Sequence, residues 1–98
     1  MRKLLITKEA DRDLEQLYRY IAADNVQAAD NIIRKLDETF QRLRENPDIG
    51  IPQFQLREYL YCKPVARNYL VFYSAPKDSD QLILLRVLHG ARDWGNYF

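Results

Sequence analysis

The residues best suited to chemistry lie close together near the end of the chain. Arg86, His89, Arg92 and Trp94 follow one another at the exit of an apolar run, and they include the one histidine and the one tryptophan of the sequence. Histidine can move protons near neutral pH, and arginine can stabilise a developing phosphorane or bind a carboxylate. This segment therefore has two interpretations, a catalytic cluster for RNA cleavage or a recognition surface for an acidic partner.

Other kinds of chemistry have little support. One histidine and one cysteine, far apart, predict no metal site, and three scattered glycines predict no phosphate-binding loop. Cys62 lies within a strand-like run and is interpreted as a small buried apolar residue. No cofactor is expected. Recognition by Arg67, Arg86 and Arg92 is favoured over cleavage, because the net charge is close to zero and the pattern assigns no acid–base partner to His89.

Composition sets the class of protein. The length of 98 residues predicts a single domain over residues 1–98, and 47% hydrophobic with 30% charged residues is typical of a globular chain. A formal net charge of +1 argues against direct binding of nucleic acid through its phosphates. The single cysteine excludes an internal disulfide, and no apolar run is long enough to span a bilayer. A soluble cytoplasmic protein is therefore expected.

Apolar periodicity predicts a strand over residues 3–7 and then two amphipathic helices. Thr7 is expected to cap the first helix, which ends near Ala23, and Asp24 to cap the second, which ends near Glu45. The short link between the helices makes them an antiparallel hairpin. The mixed charges on their polar faces are interpreted as a solvated surface: Asp11, Arg12, Asp13, Arg34, Lys35, Asp37 and Glu38.

Strands dominate the second half of the sequence. Pro47, Gly50 and Pro52 predict an irregular loop, after which strand-like runs cover residues 58–65, 69–75 and 81–88. Their short connections predict antiparallel hairpins. The expected fold is α+β in the order β-α-α-β-β-β, with the helix hairpin packed on one face of a mainly antiparallel four-stranded sheet.

The last strand is apolar on both sides, which places it inside the sheet with both faces covered. Alternation assigns one face to Ile83, Leu85 and Val87 and the other to Leu82, Leu84 and Leu88. The helices can cover only one face, and further aromatic residues lie on the same strands: Tyr59, Tyr61, Tyr69, Phe72 and Tyr73. A partner protein is favoured as the second cover. Folding back of residues 94–98 is the alternative, although so short a tail cannot cover a whole sheet.

Several short segments, taken in this order, resemble the toxins of the RelE/ParE superfamily over nearly the whole chain. They lie at residues 10–14, 20–25, 28–29, 43–50, 69–73 and 85–93. The ending Arg-Val-Leu-His-Gly-Ala-Arg-Asp at residues 86–93 resembles the ParE branch in particular.

This resemblance implies the toxin of a type II toxin–antitoxin system. ParE-like toxins poison DNA gyrase and block replication, so growth arrest and plasmid stabilisation are the expected consequences. The implied partners are gyrase and a cognate antitoxin whose C-terminal segment wraps the toxin, with DNA contacted only through the antitoxin complex. ParE toxins are not known for a chemistry of their own, so a protein that is not an enzyme is expected.

Two alternatives stay open. A RelE-like toxin would cut mRNA on the ribosome, and a non-toxic binding module would keep only the fold. For the nuclease the candidate residues are Arg92, His89, Arg67, Lys63 and Tyr97, a set that the resemblance makes incomplete because Leu70 stands where the nuclease branch has an arginine. The predicted partner-binding residues are Arg67, Arg86, His89, Arg92, Trp94, Tyr59, Tyr61, Tyr69 and Tyr73.

Overall fold

The computed structural model describes residues 1–90 and 94–98. Strand β1 (Lys3–Ile6) leads into helices α1 (Lys8–Ala22) and α2 (Val26–Glu45), and a 3₁₀ turn at Pro47–Ile49 follows. The remaining strands are β2 (Ile51–Pro52), β3 (Leu60–Val65), β4 (Tyr69–Ser74) and β5 (Gln81–His89), and a second 3₁₀ turn covers Trp94–Tyr97.

The strands form one mixed sheet in the order β1-β5-β4-β3-β2, in which β1 runs parallel to β5 and the other neighbours are antiparallel. The predicted α+β fold is confirmed. The sheet has five strands instead of four, because Ile51 and Pro52 pair with Cys62 and Tyr61 of β3. Proline is tolerated at this place because an edge strand has no second neighbour that needs its missing N–H.

The helix hairpin begins at two capping side chains. The Thr7 hydroxyl accepts a hydrogen bond from the Ala10 N–H at 3.1 Å, as predicted. The second cap is Asn25 and not Asp24, since Asn25 Oδ1 accepts from the Ala28 N–H at 3.1 Å. The Asp24 N–H still donates to the Ile21 carbonyl, so Asp24 belongs to the end of α1. In the described part of the chain, no helix is both long and apolar enough to cross a membrane.

A β-bulge in β5 overturns the predicted alternation of its faces. Tyr73 of β4 lies opposite Leu84, but the next residue, Phe72, lies opposite Arg86. Leu85 is therefore an extra residue in β5, and an extra residue shifts all later side chains to the opposite face. As a result Leu82, Leu84 and Val87 pack with the helices, whereas Leu85 and Leu88 pack on the other side of the sheet.

The two faces of the sheet have separate apolar clusters. On the helix side, Leu36, Phe40 and Leu43 of α2 pack with β4 and β5. On the other side, Phe72 is fully buried, and the rings of Trp94 and Phe98 lie 5.3 Å and 4.9 Å from its ring. The tail thus covers the centre of the second face. The expectation that a partner covers it is wrong for this part of the sheet.

The predicted open aromatic face is also divided between the two sides. Tyr61, Tyr69 and Tyr73 pack with the helix-side cluster, and Phe72 packs with the tail. Tyr73 is fully buried, so its predicted contact with a partner does not fit the fold. Its hydroxyl donates to the Pro47 carbonyl at 2.5 Å and accepts from the Gly50 N–H at 3.0 Å, which ties the loop after α2 to the sheet.

The close approach of Gly50 to this hydroxyl yields a stability prediction. A Cβ at residue 50 would overlap the Tyr73 hydroxyl and ring, which are held by dense packing. Gly50→Ala should therefore lower the free energy of unfolding by about 1–3 kcal/mol, the usual cost of overpacking. Chemical denaturation measures this loss.

Gly90→Ala is the matched control, because a Cβ there would lie 3.4 Å from the Asn68 carbonyl oxygen at an exposed position. Its effect should stay within about 0.5 kcal/mol, as for most surface substitutions. Equal losses for the two variants would contradict the proposed overlap.

Candidate functional site

Arg86 forms the centre of the closing segment through an ion pair with Asp13 of α1. The guanidinium donates from Nε to Asp13 Oδ2 at 2.7 Å and from Nη2 to Oδ1 at 2.9 Å, a two-pronged geometry that gives strong charge-assisted hydrogen bonds. The Asp13 side chain is 8% exposed and the Arg86 side chain 22%. Asp13 also accepts from the Val87 N–H at 3.0 Å, so the buried carboxylate has three donors.

The path of the chain from β1 to α1 brings Asp13 to this position. The Thr7 N–H donates to the Leu84 carbonyl at 3.1 Å, and its hydroxyl donates to the Leu85 carbonyl at 3.1 Å. Strand β1 ends there and α1 begins. About one and a half helical turns later, Asp13 reaches β5 and accepts a hydrogen bond from the Val87 N–H.

The prediction that Asp13 belongs to a solvated helix face is wrong. A signal for its burial does exist in the sequence, because Asp13 follows the buried Ala10 by three residues and precedes the buried Leu17 by four. Such spacing places all three on one side of a helix. The sequence gives no means of pairing Asp13 with Arg86, since 73 residues separate them.

The ion pair extends to the tail through an aromatic ring. The Arg86 guanidinium carbon lies 4.5 Å from the centroid of the Tyr97 ring, within the range of a cation–π contact. The hydrogen bonds with Asp13 raise the pKa of Arg86 against the opposing effect of burial. Arg86 therefore stays charged, and from its place on β5 its side chain contacts both α1 and the C-terminal tail.

A groove lies beside this ion pair, between α1 and the end of β5. It has a volume of about 670 Å³ and is lined by Asp13, Gln16, Leu17, Tyr20, Asn68, Tyr69, Val87, Leu88 and His89. The His89 and Tyr69 rings meet edge to face, with centroids 5.6 Å apart. Tyr20 and Tyr69 both line this groove, and burial, with a smaller contribution from Tyr20, raises the pKa of Tyr69.

The candidate nuclease residues do not converge on one cavity. His89 lines the groove at α1, whereas Lys63 lines a separate depression with Arg42 and Glu45 at the end of α2. Tyr97 lies against Arg86, and Arg67 is exposed in the turn between β3 and β4. Arg92 lies outside the described residues.

The remaining predicted partner-binding residues lie at different surfaces. Trp94 packs against Phe72, and Tyr59 has a positive φ of 61° and packs edge-on against the exposed ring of Phe54. Tyr61 stacks on Tyr73 with centroids 5.2 Å apart. Burial, with a smaller contribution from the nearby Asp48 carboxylate, raises the pKa of Tyr61.

Metal ligands are not clustered in the described part of the chain. Residues 1–90 and 94–98 contain no group of three histidine, cysteine, aspartate or glutamate side chains able to hold an ion. Cys62 is buried, and burial raises the pKa of its thiol to about 11, which keeps it protonated at neutral pH.

Comparisons with known proteins give one family match and a structural relative. Residues 4–94 match the family model described as the ParE toxin of the type II toxin–antitoxin system parDE. No curated protein matches the chain. A solved structure titled as the chromosomal ParDE TA system from P. aeruginosa has 16% sequence identity and a TM-score of 0.73, covering 91% of this chain and 96% of that chain. At this identity the structural similarity shows the fold alone.

The buried ion pair yields a prediction about stability. Asp13→Asn removes the charge that compensates Arg86 and weakens the acceptor of the Val87 N–H. The free energy of unfolding should fall by about 2–3 kcal/mol, below the usual cost of breaking a fully buried pair because Arg86 is partly exposed. Thermal or urea denaturation measures the loss.

Glu15→Gln serves as the control on the same helix. It breaks the Glu15–Arg19 pair, whose side chains are 57% and 77% exposed, and exposed pairs contribute less than about 1 kcal/mol. If Asp13→Asn cost no more than Glu15→Gln, the structural importance of the buried pair would be refuted.

The tail contact yields a second prediction, with Cys62 as its reporter. Phe98→Ala removes a ring that packs on the cluster containing Phe72 and Cys62. The thiol should react faster with a disulfide reagent, and stability should fall by about 1–3 kcal/mol through loss of apolar burial. Phe54→Ala removes an exposed ring that contacts Tyr59 and Tyr61 and is not part of this cluster, so it should leave the thiol rate unchanged. Equal thiol rates in wild type and Phe98→Ala would show that the tail does not cover this face.

Proposed function

The chain belongs to the ParE toxin family of type II toxin–antitoxin systems, and we propose that it arrests growth by inhibiting DNA gyrase until a cognate antitoxin neutralises it. The family match over residues 4–94 carries this proposal. Support for gyrase as the target comes from the closing sequence Arg86 to Asp93, which resembles the ParE branch. Blocked replication would also explain a role in plasmid stabilisation.

We propose that the toxin acts by binding and not by catalysis. Stabilising a phosphorane requires a positive group that faces the reacting phosphate. The Arg86 guanidinium instead directs two donors at Asp13, and its flat face lies on Tyr97. Lys63 and His89 line different cavities, so a shared general acid and base has no support from the geometry.

The proposed partners follow from the same assignment. A cognate antitoxin would cover part of the toxin surface, and DNA would be contacted through the antitoxin in the complex. A formal net charge of +1 supports this division, because direct phosphate binding needs a clear excess of basic residues. The proposed place of action is the cytoplasm, where the replication machinery lies.

Purified toxin and gyrase provide the test. Supercoiling of relaxed plasmid should fall as toxin is added, and cleaved DNA should accumulate, while transcripts on translating ribosomes stay intact. Pre-incubation with the antitoxin encoded beside the toxin gene should restore supercoiling.

The outcomes separate three functions. Normal supercoiling at large molar excess of toxin, together with ribosome-dependent cleavage that Arg92→Ala abolishes, would replace the proposal by the nuclease. Normal supercoiling, intact transcripts and normal growth on expression without antitoxin would indicate a non-toxic module.

A further inference from the structure

Strand β1 forms one edge of the sheet and exposes apolar side chains there. In the described part of the chain its neighbour in the sheet is β5, and its other side is open. Met1, Leu5 and Ile6 have 76%, 44% and 46% of their surface exposed. An open strand edge with apolar side chains is a template for pairing with another chain.

Main-chain directions show which residues of β1 face outward. The N–H groups of Lys3 and Thr7 donate to main-chain carbonyls of the segment that contains β5, at 2.7 Å and 3.1 Å. Because successive residues of a strand direct their N–H and C=O groups to alternate sides, the groups of Leu4 and Ile6 point away from β5. Among the described residues, these outward groups have no hydrogen-bond partner.

Helix α2 limits this edge at its start. The Arg2 N–H donates to the Arg44 carbonyl at 3.1 Å, and the Arg2 carbonyl accepts from Arg44 Nε at 2.8 Å. At the other end of β1 the chain turns into α1. The open edge therefore consists of Leu4 and Ile6, one on each side of Leu5. This spacing is self-complementary, because a two-fold axis at Leu5 exchanges the two positions.

We propose that β1 pairs with β1 of a second copy of this chain, antiparallel and about a two-fold axis at Leu5. Leu4 of each copy then lies opposite Ile6 of the other, and each such pair exchanges both of its main-chain hydrogen bonds. The two Leu5 residues form the non-hydrogen-bonded pair between them, with Cα atoms about 4.5 Å apart. The sheets of the two copies become one continuous sheet. The inference goes beyond the proposed function and does not depend on it.

Pairing also buries apolar surface at the margin of the face on which the tail packs. Leu4 packs with the helix-side cluster, so Leu5 points to the other face, where it lies beside the half-buried Ile83 of β5. In the dimer, Leu5 of one copy contacts Leu5 of the other. Apolar side chains directly opposite each other stabilise an antiparallel pair, and their contact removes exposed surface from water.

Charges at the helix ends favour a second copy over an unrelated strand. In this register Arg2 of one copy comes opposite Lys8 of the other, at the start of α1. Arg2 is bonded to Arg44 in the last turn of α2, and the first turn of α1 contains Glu9. The basic end of α2 therefore lies toward the acidic start of the other α1, and the opposite ends of the two helix dipoles favour the same arrangement. An unrelated strand would satisfy the main-chain groups without this match.

The short edge predicts a weak dimer. Contact limited to residues 4–6 and to the adjacent helix ends belongs to the smallest class of interface, below about 1,200 Å², which is typical of transient association. Sedimentation of the full-length toxin should therefore show a shift from monomer to dimer between about 1 and 500 μM. Wild-type toxin that stays monomeric over this range would overturn the inference.

Charge substitutions at Leu5 test the pairing and its register together. Leu5→Lys alone and Leu5→Glu alone each place like charges directly opposite each other, and each should weaken the dimer by about tenfold or more. An equimolar mixture of the two variants should associate again, because opposite charges then face each other across the axis. Leu5 is 44% exposed, so both variants should keep the fold, which circular dichroism checks. A mixture that associates no better than either variant alone would contradict the proposed register.

Ile51→Lys is the matched control at the opposite edge of the sheet, because Ile51 is an exposed apolar residue of β2 with 54% of its surface accessible. It should leave the association constant unchanged. A dimer that Ile51→Lys dissociates and Leu5→Lys does not would assign the contact to β2 and overturn the inference.

Amide hydrogen exchange of the wild-type toxin gives a test that needs no variant. The N–H groups of Leu4 and Ile6 should exchange several-fold more slowly in concentrated toxin than in dilute toxin, in proportion to the fraction of dimer. The Lys3 N–H already donates within the monomer, so its exchange should change less. Equal exchange of Leu4 and Ile6 at both concentrations, in a sample that sedimentation shows to be dimeric, would place the dimer contact elsewhere and overturn the inference.

Discussion

A buried carboxylate on the first helix determines how the helix hairpin sits on the sheet. Removing Asp13 from water would cost several kcal/mol if its charge were not compensated. Arg86 and the Val87 N–H compensate this charge with three hydrogen bonds. These bonds form together only when α1 has one position along β5 and one rotation about its own axis. Apolar packing alone tolerates small shifts between a helix and a sheet. The directed bonds of Asp13 remove that freedom.

The bulge at Leu85 and the ion pair belong to the same local arrangement. Without the extra residue, strict alternation from Leu84 would turn Val87 toward the tail and Leu88 toward the helices. The bulge reverses this, so that Val87 packs with the helices and Leu88 joins Phe72 under the tail. Arg86, next to the bulge, reaches Asp13 on one side and the ring of Tyr97 on the other. The bulge at Leu85 therefore determines which side chains of β5 contact the helices on one face of the sheet and which contact the C-terminal tail on the other.

The sequence predicts the parts of this fold that depend on local pattern. Two amphipathic stripes and Thr7 predict the hairpin and its start, and the apolar run at residues 81–88 predicts a central strand. Features that depend on distant contacts were missed. Asn25 replaces Asp24 as the cap because of where α1 ends, and Ile51 and Pro52 form a strand only because β3 lies beside them.

The same distinction holds for the candidate site. Arg86 and His89 stand out in the sequence by their types. The structure places His89 in a groove with Tyr69, and Arg86 is bonded to Asp13, which also lines that groove. The residue that determines what Arg86 does is Asp13, which the charge pattern assigned to the solvent. An arginine beside open solvent can bind a phosphate or a carboxylate from a partner. Arg86 already gives two bonds to a buried aspartate and has fewer donors left for a ligand, so its main role changes from contact with a ligand to support of the surface around it.

The short first strand makes this structural role possible. Were β1 long enough to pair with all of β5, it would bond the Val87 N–H itself, Asp13 would have no place at the edge, and the groove would be filled. Ending β1 at Ile6 leaves the Val87 N–H to Asp13 and so makes room for the ion pair beside β5. Asp13 bonds the Val87 N–H, so loss of the ion pair should displace Val87 and the wall of the groove. Distant parts of the fold, such as the loop held by Tyr73, should be affected less. Arg86 would then act on the surface around it through the strand and the helix whose positions it helps to fix.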